Sequence, residues 1–354
     1  MLEVFTTTYM LRWIHSMDHS NGIPGFIHDN IDEHPKDIVK LTMDKFSMTR
    51  QGVLRHLRKL VKEGLIQVVG TTIDREYTAL PIKKELHLLD PKVDNEEDVV
   101  WREKIHPILS GLRRNVYNIC QYGFTEMYNN VIDHADATSA SVTVELYIKK
   151  VYMVLSDNGI GIFNNIQMKY GLKDKRHAIL ELSKGKLTTD PDHHSGEGIF
   201  FTSRMFDDYS ILSDNLAFLA LMNSNDWLLE KENATEGTLI IMEIDTESRR
   251  TMQEVFKKYS SEGSFGFDRT HIPVYLSQYG VDNLVSRSQA RRLLTRLDRF
   301  KEITLDFEGV EEIGQAFADE IFRVFVKSHP NISLINIRDN EQIRGMISRV
   351  TDEQ

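Results

Sequence analysis

Four short stretches of the chain carry residue types at spacings that suit chemistry. In FTEMYNNVIDHA, residues 124–135, Glu126, Asn130 and His134 follow one another four apart, and Asp133 lies three after Asn130. At 3.6 residues per turn these side chains share one face of a helix. A carboxylate, a carboxamide and an imidazole stacked there suit a hydrated divalent cation and a water to be activated. Mg²⁺ is the natural choice, because it prefers oxygen ligands and keeps several waters. Taken alone, the stretch reads equally well as a solvated polar face.

The second stretch is Asp157-Asn158-Gly159-Ile160-Gly161-Ile162. Two glycines a residue apart let a loop turn sharply while a ligand approaches the backbone. The aspartate before them can accept a hydrogen bond from an exocyclic amine, which tells adenine from guanine. The third, His194-Ser195-Gly196-Glu197-Gly198-Ile199, precedes the apolar run FFTSRMF. Glycines ahead of a helix offer free backbone N–H groups and the positive end of the helix dipole, a phosphate site. Lys169, Lys173, Lys175, Arg176, Lys184 and Lys186 lie between these two stretches. A long basic loop beside a phosphate site is what a lid over a polyphosphate requires. Finally, Glu236-Gly237-Thr238 brings a hydroxyl to the start of the apolar strand LIIMEI.

These stretches need elements to hold them. Residues 142–156, VTVELYIKKVYMVLS, read as two strands turning at Lys149-Lys150, with Asp157 at the end of the second. Residues 1–80 read as helix-rich, ending in a short strand pair. Residues 83–97 are polar with one proline and read as a connector, with Asp98 opening the next helix. Residues 248–270 read as an amphipathic piece and then a Gly/Ser-rich hinge, and residues 271–349 as a last small α/β unit. The fold class is therefore a mixed α/β (α+β) chain of several domains, bounded at 1–82, 98–247 and 271–349.

Composition narrows the function classes. With 354 residues the chain exceeds what one ordinary core needs. The hydrophobic share of 41% and charged share of 27% are those of a globular protein. No apolar run approaches the roughly 20 residues that span a bilayer, and the first residues lack the pattern of a secretory leader. Cys120 is the one cysteine, so no intrachain disulfide and no thiolate cluster can form. A cytoplasmic protein without a membrane role is the expectation. The net charge of −10 argues against indiscriminate coating of nucleic acid but leaves room for one basic patch. The histidines at 15, 19, 28 and 34 match no metal-ligand spacing and read as ordinary surface residues.

In order and spacing, the four stretches resemble the signature boxes of the GHKL superfamily of gyrase-like ATPases and histidine and anti-sigma kinases. The resemblance covers roughly residues 98–245. Glu126, Asn130, Asp133 and His134 match its N box, Asp157, Gly159 and Gly161 its first glycine box, and Ser195, Gly196 and Gly198 its second. Thr238 stands where the family has a last hydroxyl. The resemblance implies an α/β sandwich, with helices over one face of a mixed sheet and ATP·Mg²⁺ between them. Asn130 would hold Mg²⁺, Asp157 the adenine amine, and Gly196 and Gly198 the phosphates. Glu126 would be the general base, acting on water in gyrase-like members and on a partner's serine in anti-sigma kinases. A sensor histidine kinase does not fit, because no helical hairpin with a phosphoacceptor histidine precedes the N box; the proline after His106 marks a helix break.

Two flanking resemblances complete the reading. PKDIVKLTMDKF, then Ser47-Met48-Thr49, then RQGVLRHLRKLVKEGLI with a stripe of Leu54, Leu57, Leu60 and Val61, and a strand pair with its tip at Gly70 to Asp74, resemble a winged helix-turn-helix. That family places the early residues of its second helix on bases, here Thr49, Arg50 and Gln51, with Arg55 and Arg75 near phosphates. Ten Lys and Arg offset ten Asp and Glu over residues 1–80, so a protein-docking role competes with DNA binding. VYLSQYGVDNLVSRSQARRLL, ITLDFEGVEEIGQAFADEIFRVF and ISLINI resemble a STAS-like domain, the fold of anti-sigma-factor antagonists. Where the antagonists carry a phosphoacceptor serine, this chain has Gly314, Gln315 and Ala316, so the domain is expected to dock a partner protein. Ser286 and Ser288 stand as helix caps ahead of Arg291 and Arg292. Together these features describe a regulator in which ATP controls DNA or partner binding, with a homodimer one assembly open to it. The rival classes are a protein serine kinase acting on a separate antagonist and a hydrolytic ATPase of a stress or defence system.

Overall fold

The computed structural model describes residues 22–71, 74–187, 196–221, 226–261, 266–278 and 283–352. His15, His19 and part of the strand-pair tip lie outside them. The chain is a mixed α/β protein with three sheets.

The first helices are α1 (Ile23–Asn30), α2 (Ile38–Phe46) and α3 (Arg50–Lys62), followed by the antiparallel pair β1 (Ile66–Val69) and β2 (Glu76–Ala79). Ser47 closes α2 in the left-handed conformation, and Thr49 caps α3 by accepting from the Gly52 N–H at 3.2 Å. The buried stripe of α3 is Val53, Leu57 and Leu60, whereas Val61, expected to belong to it, is exposed. Steps of four and then three, Val53 to Leu57 to Leu60, hold one helical face inward, which Val61, one residue after Leu60, leaves. His28, expected at the surface, is buried against Tyr147 with ring centroids 6.0 Å apart, and burial lowers its pKa. Ile148 joins the same apolar cluster, so a hairpin turn of the middle sheet is part of the first unit's core.

The middle sheet runs β3 (Lys83–Leu89), β4 (Ala140–Leu146), β5 (Lys150–Asp157), β7 (Asp226–Asp245), β6 (Asp208–Leu221), from edge to edge. Every pairing in it is antiparallel, where a mixed sheet was expected, because β4–β5 and β6–β7 are direct hairpins. The supposed connector starts as β3: KKELHLL pairs along the whole of β4. Helical residues 97–109 then lead to α4 (Arg114–His134). Val116, Ile119, Cys120, Phe124, Met127 and Val131 of α4 are buried, as are Val151, Met153 and Leu155 of β5, in strict alternation. Three further helices, α5 (Ile162–Tyr170), α6 (Arg176–Lys184) and α7 (Gly198–Met205), follow β5.

After α8 (Met252–Lys258), whose capping box joins Thr251 and Glu254, comes β8 (Arg269–Pro273). It lies one element earlier than expected: Val274–Ser277, read as the strand, is a 3-10 turn. Pro273 lacks an N–H and ends the ladder there. α9 (Arg287–Leu294), β9 (Glu302–Asp306), a helix over 315–328, β10 (Ser333–Ile337) and α11 (Glu341–Asp352) complete a parallel sheet of order β10-β9-β8. Ser286 caps α9 in a capping box with Gln289.

The segment expected as a long basic lid is built differently. Residues 177–184 of α6 are all buried. The Lys184 ammonium sits on Glu181 Oε1 at 2.8 Å and donates to the carbonyls of Arg292 at 2.9 Å and Thr295 at 3.1 Å. Arg296 takes the other Glu181 oxygen. Lys175 pairs with Asp214, Arg176 with Asp174 and with Glu230 at 3.1 Å, and Lys186 donates to the Arg299 carbonyl at 2.9 Å. Four of the six cations thus have partners within the protein, and two of these, Lys184 and Lys186, bind the C-terminal unit. The other two, Lys169 and Lys173, are exposed.

Candidate functional site

A cavity of about 270 Å³ opens between α4, α5 and the strand ends of the middle sheet. Glu126, Asn130 and His134 reach it from α4, Asp157 from the end of β5, Gly161 from the following turn, Gly196 and Gly198 from the start of α7, and Thr238 from β7. Stretches separated by more than a hundred residues meet in one wall. Asp133 and Gly159 are not among the lining residues. Asp133 shares the helical face by angle but sits on the last turn of α4, where its side chain is exposed. Gly159 acts behind the wall: its N–H donates to Asp157 Oδ1 at 2.8 Å, and a Cβ there would meet the Ala135 carbonyl oxygen at 2.2 Å. Only glycine lets this turn pack on the end of α4. Ser195 lies outside the described residues.

Asp157 is the buried acid of the floor, 7% exposed. Burial pushes its carboxyl above the usual aspartate range, against hydrogen bonds from Gly159 and Thr238 that favour the ionised form. Thr238 faces Asp157 across the ladder, and its hydroxyl also accepts from the Ile162 N–H at 3.1 Å, tying α5 to the sheet. Met127, Val131, Ile162, Ile166, Leu182, Leu187 and Ile240 supply apolar wall. Apolar wall around one buried acceptor is the make-up of a polar-anchored small-molecule site.

The other end is charged. A Cβ at Gly198 would meet Glu126 Oε2 at 2.1 Å, so the missing side chain is what lets the carboxylate reach the first turn of α7. Tyr122, one turn before Glu126 on α4, hydrogen-bonds to that carboxylate. Burial, then the charges of Glu126 and Glu197, push its phenol upward. Burial also raises Glu197, with Lys186 acting in the opposite sense. Two carboxylates beside a helix N-terminus, against one lysine, would resist a naked polyanion and accept one that arrives with a divalent cation. Among the described residues, no group of three or more His, Cys, Asp or Glu converges as a metal cage.

Sequence reasoning missed Tyr122, Asn165 and Leu187. Tyr122 lies four before Glu126, and Ile162, Asn165 and Ile166 follow helical spacing, so both were within reach. Asn165 donates to the His134 carbonyl at 2.8 Å and fastens α5 to the end of α4. Leu187 has no local signal, because the C-terminal unit determines where its segment runs.

At the amino-terminal unit, Thr49, Arg50, Gln51, Arg55 and Arg75 are all exposed. Arg58 and Lys62 extend the same basic face, and among the described residues no carboxylate pairs with Arg50, Arg55, Arg58, Lys62 or Arg75.

The C-terminal unit has three parallel strands with helices between them. Residues 289–343 form a STAS-like domain. They match the model of the STAS-like domain of unknown function (DUF4325). The match runs from within α9 to the start of α11 and so takes in β9, the 315–328 helix and β10. A STAS-like domain is a protein-interaction module. A search of the curated proteins finds no match. Among the described residues, no helix is long and apolar enough to cross a membrane.

Proposed function

We propose that this chain is an ATP·Mg²⁺-binding regulator of the GHKL type, in which the central pocket governs what the flanking units bind. One observation carries the reading: Glu126, Asn130, His134, Asp157, Gly161, Gly196, Gly198 and Thr238, from four separate stretches, line a single cavity. The residues present fit the nucleotide. Asp157 at the apolar end would accept from the adenine amine, and Thr238 holds that carboxylate in place. The N–H groups opening α7 would receive phosphate oxygens, and the Gly198 position leaves them uncovered. Asn130 would hold Mg²⁺, which when bound neutralises phosphate charge beside Glu126 and Glu197.

Glu126 would take a proton from a water or a partner's hydroxyl, with Tyr122 orienting its carboxylate through a hydrogen bond. The exposed basic face of α3, with the β1–β2 wing beside it, supports a winged helix that enters a major groove through Thr49, Arg50 and Gln51, with Arg55 and Arg75 at phosphates. The STAS-like domain supports docking of a partner protein. Placement in the cytoplasm follows from the same reading. The flanking units touch the elements that frame the pocket: Ile148, on the turn before β5, lies in the first unit's core, at the other end of the strand from Asp157, and α6 carries both Leu182 at the cavity and Lys184 at the Thr295 carbonyl. A ligand that binds one arrangement better would therefore bias both units.

The test is a gel shift on random-sequence duplex with and without ATP·Mg²⁺, run beside ATP turnover by Glu126→Ala. Nucleotide-dependent retention supports the regulator. Transfer of label to a partner serine would make it a kinase instead, and turnover with no retention would make it a plain ATPase.

A further inference from the structure

A second cleft, of about 520 Å³, lies on the other side of α7. Its walls come from two units. Arg204 of α7, Arg250 and Lys258 stand on one side, and His271 of β8 and Arg338, the residue after β10, on the other. Pro273, Asp306 and Ile337 are in register across the parallel sheet, so Arg338 emerges at its carboxyl edge. In open α/β sheets, ligands bind outside the carboxyl ends of the strands, and small-molecule sites favour junctions between units.

The cations are held in place rather than left to wander. Arg204 is forked on Asp226 through both terminal nitrogens. Arg250 reaches Asp207 at 2.9 Å. Arg338 lies on the fully buried Asp306, with Nε to Oδ1 at 2.9 Å, and His271 Nε2 sits 2.7 Å from the same carboxylate. Arg338 holds φ at 56°, a left-handed conformation uncommon for a side-chain-bearing residue and typical of ligand clamps. The acids on the wall are already engaged: Asp226 by Arg204, and Glu254 by the N–H and hydroxyl of Thr251 at 2.9 and 2.8 Å. Lys258 differs. Among the described residues no carboxylate lies within ion-pair distance of it, and it rests 5.6 Å from the Tyr259 ring.

From this arrangement we infer a binding site for a small phosphorylated ligand, bridging α7 and α8 to the carboxyl edge of the STAS-like sheet. Guanidinium groups oriented by protein carboxylates, Arg338 by Glu308 as well as Asp306, and the Lys258 ammonium converge from two units, and both kinds of cation bind phosphate. The site is separate from the central cavity, and no lining residue is shared. A ligand there would clamp the C-terminal unit onto the middle one.

The test is calorimetric titration of the full chain with inorganic phosphate and with ribose 5-phosphate at constant ionic strength. Wild type is compared with Lys258→Glu and with Asn130→Ala. Lys258 is exposed, so its replacement leaves the fold intact, which a melting curve checks. The expected result is saturable binding that Asn130→Ala leaves unchanged and Lys258→Glu weakens by about tenfold or more. Absence of saturable binding of either probe would overturn the inference. So would binding indifferent to Lys258→Glu, or binding lost in Asn130→Ala, which would put the phosphate in the central cavity.

Discussion

Replacing Lys184 with alanine should loosen the C-terminal unit from the segment beside the central cavity, and the structure sets the size of the effect. The Lys184 side chain is almost wholly buried, and its three ammonium protons have three acceptors: Glu181 Oε1, the Arg292 carbonyl and the Thr295 carbonyl. Burial lowers the lysine's pKa while Glu181 works to raise it, so the charge depends on this contact. Removing one partner of a buried pair typically costs about 3–5 kcal/mol. Arg296 still holds the second Glu181 oxygen, so the carboxylate is not stranded and the lower end, about 3 kcal/mol, applies. In urea, with a slope of roughly 3 kcal/mol/M, the midpoint of the transition that includes the C-terminal unit should fall by about 1 M. Circular dichroism would follow that transition, and hydrogen exchange at α9 would locate it. Lys184→Met keeps the apolar stem and should recover only a minor part. A midpoint unchanged in Lys184→Ala, with α9 protection intact, would refute the clamp.

Three further outcomes follow from the same geometry. Affinity for an adenine nucleotide should fall as pH drops through a pKa above that of an ordinary aspartate, because burial raises Asp157 and the amine needs its ionised form; titrations from pH 7 downward in wild type and Asp157→Asn measure it. The sign for stability is opposite: with the folded-state pKa raised, Asp157 favours the unliganded fold at low pH, and that contribution is lost as pH rises through the folded pKa. Gly198→Val should displace the Glu126 carboxylate and lower turnover by at least about tenfold, with nucleotide binding weakened as well, readable from a kcat and Kd comparison. Arg50→Ala should cost about 1–3 kcal/mol of DNA affinity at preferred sequences, whereas Arg55→Ala should weaken all sequences alike and flatten the salt dependence.

What could be read in advance was local. Glu126, Asn130 and His134 declare themselves by spacing along a single long helix, and Ser286 by the chemistry of a cap. Asp157 and the glycines after it are legible because a turn at a strand end demands them. Other features depend on partners distant in sequence. KKELHLL alternates only over Leu86-His87-Leu88, and both leucines are exposed on an edge strand, so pairing with β4 is what makes it a strand. The six lid cations looked like phosphate ligands by charge and position. Four of them instead find acceptors within the protein: Asp174 and Glu181 close by in the chain, and Asp214, Glu230 and the carbonyls of 292, 295 and 299 tens of residues away or more. Asp133 shows the limit of angle alone: helical spacing puts it on the site face, yet its side chain is exposed and outside the cavity lining, while its neighbour His134 reaches in.

The most direct test of the central claim is an equilibrium titration of the full chain with ATP and with GTP, each with and without Mg²⁺. Wild type would be compared with Asp157→Asn and Asn130→Ala. Saturable binding of ATP over GTP is expected in the wild type, with loss of that preference in Asp157→Asn and loss of the Mg²⁺ dependence in Asn130→Ala. A wild-type protein that does not bind ATP·Mg²⁺, or binding that neither substitution alters, would contradict the claim.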